Sequence, residues 1–191
     1  LRPSGENQNP EPKAPDSAGY ELIQDEKSLQ KWIALATAKG FVAVDTETTG
    51  LTPAKAKLVG ISMSVDEGSG CYIPVGHRDP KGYSESFDFS MQDKNVSAPD
   101  LKQIPLDRAI ALLKPLLEDE GVKKVGQNIK YDWIILKRYG IHLRGIHCDT
   151  MIASYLLNPT KHNHNLGEIS REYLDRSVIE YKDVVGTGTK A

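Results

Sequence analysis

Asp45 and Glu47 flank Thr46 just past residues 41–44, a short unbroken apolar run of the kind buried on both faces of a sheet. Residues two apart in extended backbone project to one side. Two carboxylates held side by side repel unless cations or protons neutralise them. Two solvated acids on a surface turn would show the same letters. Asp132 says more. On a helix over residues 129–139 it shares a face with Asn128, Ile135, Leu136 and Tyr139, while Lys130, Lys137 and Arg138 lie towards the other side. A charge among apolar neighbours is costly without a partner, which is a basic residue, a hydrogen-bond donor or a metal. If that helix end lies beside Asp45 and Glu47, the three acids offer hard oxygen ligands suited to Mg²⁺ or Mn²⁺ rather than zinc. Carboxylates clustered around two cations about 4 Å apart are the usual apparatus for cleaving phosphodiesters, one cation generating hydroxide and the other stabilising the leaving oxygen.

Such a cluster needs a scaffold, and the patterning supplies one. A helix fits residues 26–39, with Leu29, Trp32, Ile33 and Ala36 on one face and Gly40 as the stop. Residues 57–65 and 71–75 read as strands joined by a Gly-containing hairpin at 66–70. The connection 48–56 is too short for a crossover helix, so strand 57–65 should run antiparallel to strand 41–46. Residues 106–118 form a helix with Leu106, Ile110, Leu113 and Leu117 in register. A strand at 122–125, a helix at 129–139, a short strand ending near Cys148, a helix through Leu157 and a helix at 166–174 follow. Strands and helices alternate after a three-stranded meander, which predicts an α/β fold with a mixed sheet. Residues 1–18 are Pro-rich and polar and read as a linker. Residues 76–105 exceed ordinary loop length and read as an insertion.

Composition narrows the setting. The chain has 191 residues and a net charge of −2, with 39 % hydrophobic and 26 % charged residues. This is ordinary for one soluble domain. No apolar run approaches membrane-spanning length, and there is no signal-peptide stretch, so a cytoplasmic location with no membrane partner is expected. Cys71 and Cys148 make neither a metal pattern nor a disulfide framework. Between Val122 and His147 stand Lys123, Lys124, Lys130, Lys137, Arg138 and Arg144 against the single acid Asp132, a patch able to contact phosphates. Asp149 precedes Thr-Met-Ile-Ala-Ser and reads as a helix N-cap. His162 and His164 have no Cys or Asp to complete a zinc site, so a solvated loop is expected there.

Phe-Val-Ala-Val-Asp-Thr-Glu-Thr (41–48) resembles the first motif of the DEDD exonuclease superfamily, and Gly-Gln-Asn-Ile-Lys-Tyr-Asp (126–132) resembles the second. Leu-Val-Gly-Ile-Ser (58–62), Tyr-Ile-Pro-Val-Gly-His (72–77) and Leu-Arg-Gly-Ile-His-Cys-Asp-Thr-Met (143–151) narrow the likeness to the 3′→5′ proofreading domain of bacterial DNA polymerase I. That resemblance implies a ribonuclease H-like mixed sheet of five strands flanked by helices, occupying residues 19–191. It implies a two-metal site for Mg²⁺ or Mn²⁺, with Asp45 bridging both metals, Glu47 on the water-activating one and Asp132 on the other. It implies that Thr48 contacts the terminal nucleotide and that Leu51 wedges against the terminal bases. Gln127, Asn128 and Tyr131 would flank the strand, and Lys161 would contact it. Taken alone, Leu51 is equally an ordinary core leucine, and Gln127, Asn128 and Tyr131 equally cap and pack a helix. The implied partners are a single-stranded or frayed DNA 3′ end and a polymerase domain in the parent chain.

The superfamily's third motif, Tyr-x-x-x-Asp or His-x-x-x-x-Asp, has no match. After Asp132 come Asp149, Asp175 and Asp183, and none has Tyr or His at the required spacing. The expectation is a fragment that stops short of this motif and has weak or no activity by itself. Two other functions fit the first two motifs: a ribonuclease D-type RNA-trimming exonuclease, and a catalytically silent strand-binding scaffold. Preference for DNA over RNA ends separates the former, and Mn²⁺ titration the latter.

Overall fold

The computed structural model describes residues 19–77 and 102–178. The expected linker, most of the expected insertion and the C-terminal Gly-Thr-Gly-Thr-Lys-Ala lie outside these residues. Strands β1 (Tyr20–Leu22), β2 (Phe41–Thr48), β3 (Leu58–Asp66), β4 (Ser69–Pro74), β5 (Lys123–Gly126) and β6 (Ile146–Asp149) form one sheet in the order β1-β4-β3-β2-β5-β6. Helices α1 (Glu26–Lys39), α2 (Leu106–Glu118), α3 (Ile129–Arg138), α4 (Thr150–Leu157) and α5 (Leu166–Leu174) complete the α/β fold.

The sheet has six strands among the described residues, not the expected five. The extra one is β1, parallel to β4. At three residues it is too short to display an alternation. Its pairing is visible only in main-chain bonds such as Ile23 N–H to the Tyr72 carbonyl at 2.8 Å. The β2–β3 pair is antiparallel, as the short connection requires, and no helix interrupts it. β2–β5 and β5–β6 are parallel.

Local chemistry explains the boundaries. Asp25 caps α1 by accepting from the Ser28 N–H at 2.9 Å, and Gly40 ends it in the left-handed region at φ 64°. The chain then enters β2 directly. Along β2, Val42, Val44 and Thr46 are buried on one face, while Asp45 and Glu47 are exposed on the other. Leu29, Trp32 and Ala36 of α1, Leu113 and Leu117 of α2, and Ile135 and Leu136 of α3 join Val42, Ile61 and Ile73 in one continuous core. Gly145 at φ 66° must be glycine, since a Cβ there would lie 2.6 Å from the Val122 carbonyl oxygen.

The other face of the sheet borders a groove of about 900 Å³ lined by Ala43, Asp45, Ser62, Ser64 and Tyr72, with Gln127 and Thr150 at one side. Beyond it α4 and α5 leave Ile152, Leu156, Leu157, Tyr173 and Leu174 exposed. No helix among the described residues is long and apolar enough to cross a membrane.

Candidate active site

Asp45 and Glu47 stand on one exposed face of β2, as their spacing predicts, and Asp45 lines the groove. Their cross-strand partners on β3 are Ser62 and Gly60. A register shift between Glu47 and Thr48 ends the regular pairing there, a common device where a strand meets a site. Desolvation, followed by repulsion from Asp132 and then Glu47, pushes the Asp45 carboxyl up to about 7. Asp45 keeps an exposed surface, so solvent tempers the first cause. The two like charges act in the same direction.

Asp132 is only 2 % exposed, although it is ionisable. Its Oδ1 accepts from the Thr46 N–H at 2.8 Å and the Thr46 hydroxyl at 2.6 Å. Burial raises its pKa and these bonds oppose the rise. The partner that the apolar helix face demands is therefore a threonine, among the described residues. Among the described residues no three His, Cys, Asp or Glu side chains form a group able to hold one metal ion. Asp132 nonetheless lies near enough to act on the charge of Asp45.

The donor set suits a hard divalent cation. Asp132 and Glu47 each act on the charge of Asp45, and none of the three acids forms a salt bridge among the described residues. Neither Asp45 nor Glu47 accepts a side-chain hydrogen bond among the described residues, and no donor among them reaches the second oxygen of Asp132.

Leu51 resolves its two readings. It is 96 % exposed, so it is no core residue. The connection that carries it is gripped by α3. Tyr131 meets Thr48 and the Gly50 carbonyl through its hydroxyl. Arg138 donates to the carbonyls of Pro53 and Ala56, and the Tyr139 hydroxyl accepts from the Leu58 N–H at 2.9 Å. The connection that carries this exposed apolar side chain is thereby held in place.

A family model described as 3′-5′ exonuclease matches residues 20–191. The chain belongs to this exonuclease family. It is 39 % identical over 182 residues to DNA polymerase I of Rhizobium leguminosarum, covering 91 % of this chain and 17 % of that protein. It is 32 % identical over 192 residues to DNA polymerase I of Pseudomonas aeruginosa, covering 100 % of this chain and 19 % of that one. The chain thus spans under a fifth of either relative. Its fold is similar to Brucella melitensis NrnC with bound Mg²⁺, at TM-score 0.53 and 20 % identity, covering 90 % of this chain and 69 % of that one.

The other residues expected at the site are placed by the following contacts. The Gln127 amide donates to the His164 carbonyl at 2.8 Å and accepts from the Thr150 hydroxyl. Asn128, at φ 55°, precedes α3 without a side-chain capping bond. Asp149 is an N-cap, as its sequence context implies, and it serves two helices. It accepts from Met151 and Ile152 of α4 and from the N–H groups of Asn128 and Ile129 at the start of α3, both at 3.0 Å. Lys161 is largely buried and paired with Glu172.

Two expectations are corrected. The basic patch is not one phosphate-facing surface. Lys124 is fully buried and donates to the Asp119 carbonyl, Arg144 pairs with Glu120, and Arg138 braces the Leu51 connection. Charge counting cannot see which face each side chain takes. The loop at 160–165 is not simply solvated. His164 packs edge-on to Tyr155, its Nδ1 lies 2.9 Å from the buried Ser154 hydroxyl, and its Nε2 is buried without a partner among the described residues.

Sequence reasoning missed three groups near the carboxylates. Thr46 was hidden as the middle letter of the motif. Tyr72 and His77 stood inside the quoted stretch 72–77 without a role. Their side chains lie 2.6 Å apart, Tyr72 Oη to His77 Nε2. Burial pushes the Tyr72 phenol up to about 12, and the nearby charge of Glu47 adds to the rise.

Proposed function

We propose that this domain hydrolyses phosphodiesters at single-stranded or frayed DNA 3′ ends, releasing nucleoside monophosphates, beside a polymerase domain in its parent protein. The observation that carries this reading is the pair Asp45–Glu47 on one exposed face of β2, with Asp45 lining an open groove and neither acid in a salt bridge among the described residues. The relatives over nearly the whole chain are DNA polymerases I, which favours DNA over the ribonuclease D-type substrate.

Asp45 and Glu47 would hold divalent cations directly, with Asp132 contributing through water by its second oxygen. Mg²⁺ is the cation named for the similar NrnC structure, and Mn²⁺ suits the same oxygen donors. Bound there, such cations would supply an activated water and neutralise charge on the leaving oxygen. Thr46 opposes the effect of burial on Asp132 and holds its Oδ1 in place. Leu51 would press on the terminal bases, so that an unpaired end enters more readily than a paired one. Thr48 and Tyr131 set the start of the Leu51 connection and would border the terminal nucleotide. Gln127, Asn128 and Lys161 would act on the strand indirectly, Gln127 by tying the 160–165 loop to α4.

The test uses 5′-labelled single-stranded DNA with Mg²⁺ or Mn²⁺, and the chain both as given and extended through the superfamily's third motif. The extended chain should digest about 10²–10⁴-fold faster, the scale of a positioned general base. Asp45→Ala in that extended chain should abolish digestion. Undiminished digestion by Asp45→Ala would overturn the proposal.

A further inference from the structure

Tyr72 lies on the same sheet face as the carboxylates. Asp45 on β2 pairs with Ser62 on β3, and Ser62 pairs with Tyr72 on β4, so the three form one cross-strand row. One step along, Glu47 pairs with Gly60, and Gly60 with Pro74. Gly60 has no side chain, and the Tyr72 phenol fills the space. A Cβ added at Gly60 would lie 2.0 Å from Tyr72 Oη and 2.3 Å from its Cζ. Paired residues on one face of an antiparallel ladder have Cβ atoms roughly 5 Å apart. The phenol oxygen therefore sits where Glu47's cross-strand neighbour would be, within reach of a glutamate carboxylate.

On its far side the phenol meets His77. Its Oη lies 2.6 Å from Nε2, and the rings are edge-to-face with centroids 5.6 Å apart. His77 is itself pinned, since its N–H donates to the Gln103 side chain at 2.9 Å and its carbonyl accepts from the same amide at 3.1 Å. A glycine, a tyrosine, a histidine and a glutamine thus form a braced chain that ends beside Glu47. A structural sheet has no need of a polar chain aimed at an acid. Valine or threonine in place of Tyr72 would pack on the same row.

We propose that Tyr72 is a positioning residue for Glu47. His77 donates from Nε2 to the phenol oxygen, and the phenol O–H, so oriented, donates to the Glu47 carboxylate and fixes the rotamer in which that carboxylate meets a cation. The negative charge of Glu47 favours the arrangement in which the phenol proton faces it and the imidazole proton faces the phenol. Gly60 is required because any side chain there would displace the phenol.

This inference rests on the cation-binding reading of Asp45 and Glu47, and the test separates the two. Mn²⁺ binding to the 191-residue chain is measured by electron paramagnetic resonance, which needs no turnover. Asp45→Ala should abolish binding. Tyr72→Phe, which removes one oxygen, should weaken it about 10-fold, the lower end of the effect of losing an outer partner of a metal ligand. His77→Ala should weaken it similarly, and His77→Gln, which keeps an N–H donor, should recover part of the loss. In the extended chain the same variants should lower kcat with little change in KM for DNA. Mn²⁺ isotherms of Tyr72→Phe and His77→Ala that overlay the wild type, while Asp45→Ala fails to bind, would overturn the positioning role alone. Undisturbed binding by Asp45→Ala would overturn both.

Discussion

Asp45→Asn in a chelator tests the electrostatics of the site without reference to turnover. The folded Asp45 carboxyl is pushed from 3.8 up to about 7 by desolvation, Asp132 and Glu47. A raised carboxylate pKa favours folding most where the group is protonated in both states, below its unfolded pKa. That advantage is lost as pH rises towards the folded pKa. Between about pH 4 and pH 7 the unfolded chain has given up this proton and the folded chain still holds it, so stability falls through that window and levels off above it. Holding a carboxyl at about 7 rather than 3.8 opposes its ionised form by about 4 kcal/mol in the limit of no solvent screening. Asp45 is exposed enough for water to screen much of this, so ~1–2 kcal/mol is the expected effect. Asparagine carries no charge and has no such slope. At pH 8 the variant should therefore melt about 2–8 °C above the wild type, and near pH 4 the two should coincide. The acids with lowered pKa, such as Glu118 and Asp66, change stability in the opposite sense but equally in both proteins. The assay is thermal unfolding followed by circular dichroism from pH 4 to 8.5 in EDTA. A variant that melts at or below the wild type at pH 8, or by a margin independent of pH, would refute the reasoning. Added Mn²⁺ should then raise the melting temperature of the wild type and not of the variant.

Leu51→Ala should leave the melting temperature unchanged, because the side chain is 96 % exposed. In the extended chain it should slow digestion of frayed duplex ends more than of single strands. Equal slowing on both substrates would argue against a wedge. Asp149→Ala removes the acceptor shared by the first turns of α3 and α4. It should destabilise the domain by about 1–3 kcal/mol in urea unfolding, since partly buried N–H donors are left without partners. A loss below about 0.5 kcal/mol would mean that water replaces the carboxylate.

Much of the scaffold was legible because its signals are local. The apolar face of α1 and its stop at Gly40, the apolar spacing of α2 and the short β2–β3 connection each act over a few residues, and the corresponding elements formed where expected. The same-side placement of Asp45 and Glu47 was legible for the same reason: alternation is a property of the strand itself. Even the burial of Asp132 followed from its helix face.

What met these residues was decided only by tertiary structure. Asp132 and Thr46 are 86 positions apart, and no local pattern announces that bond. Helix periodicity showed that Asp132 faces the core but not which residue it meets there. Lys124 looked like part of a basic surface, but alternation along β5 turns it inward while Lys123 stays exposed, and its ammonium donates to the Asp119 carbonyl. Leu51 looked as much like core as wedge, until α3 held its connection out in water. Tyr72 could be matched to Glu47 only once the register placed Gly60 between them. Periodicity and capping determine which way a side chain points, because they depend on the chain's own neighbours. Register and packing determine what it meets, because that contact is made across the sheet by residues remote in sequence.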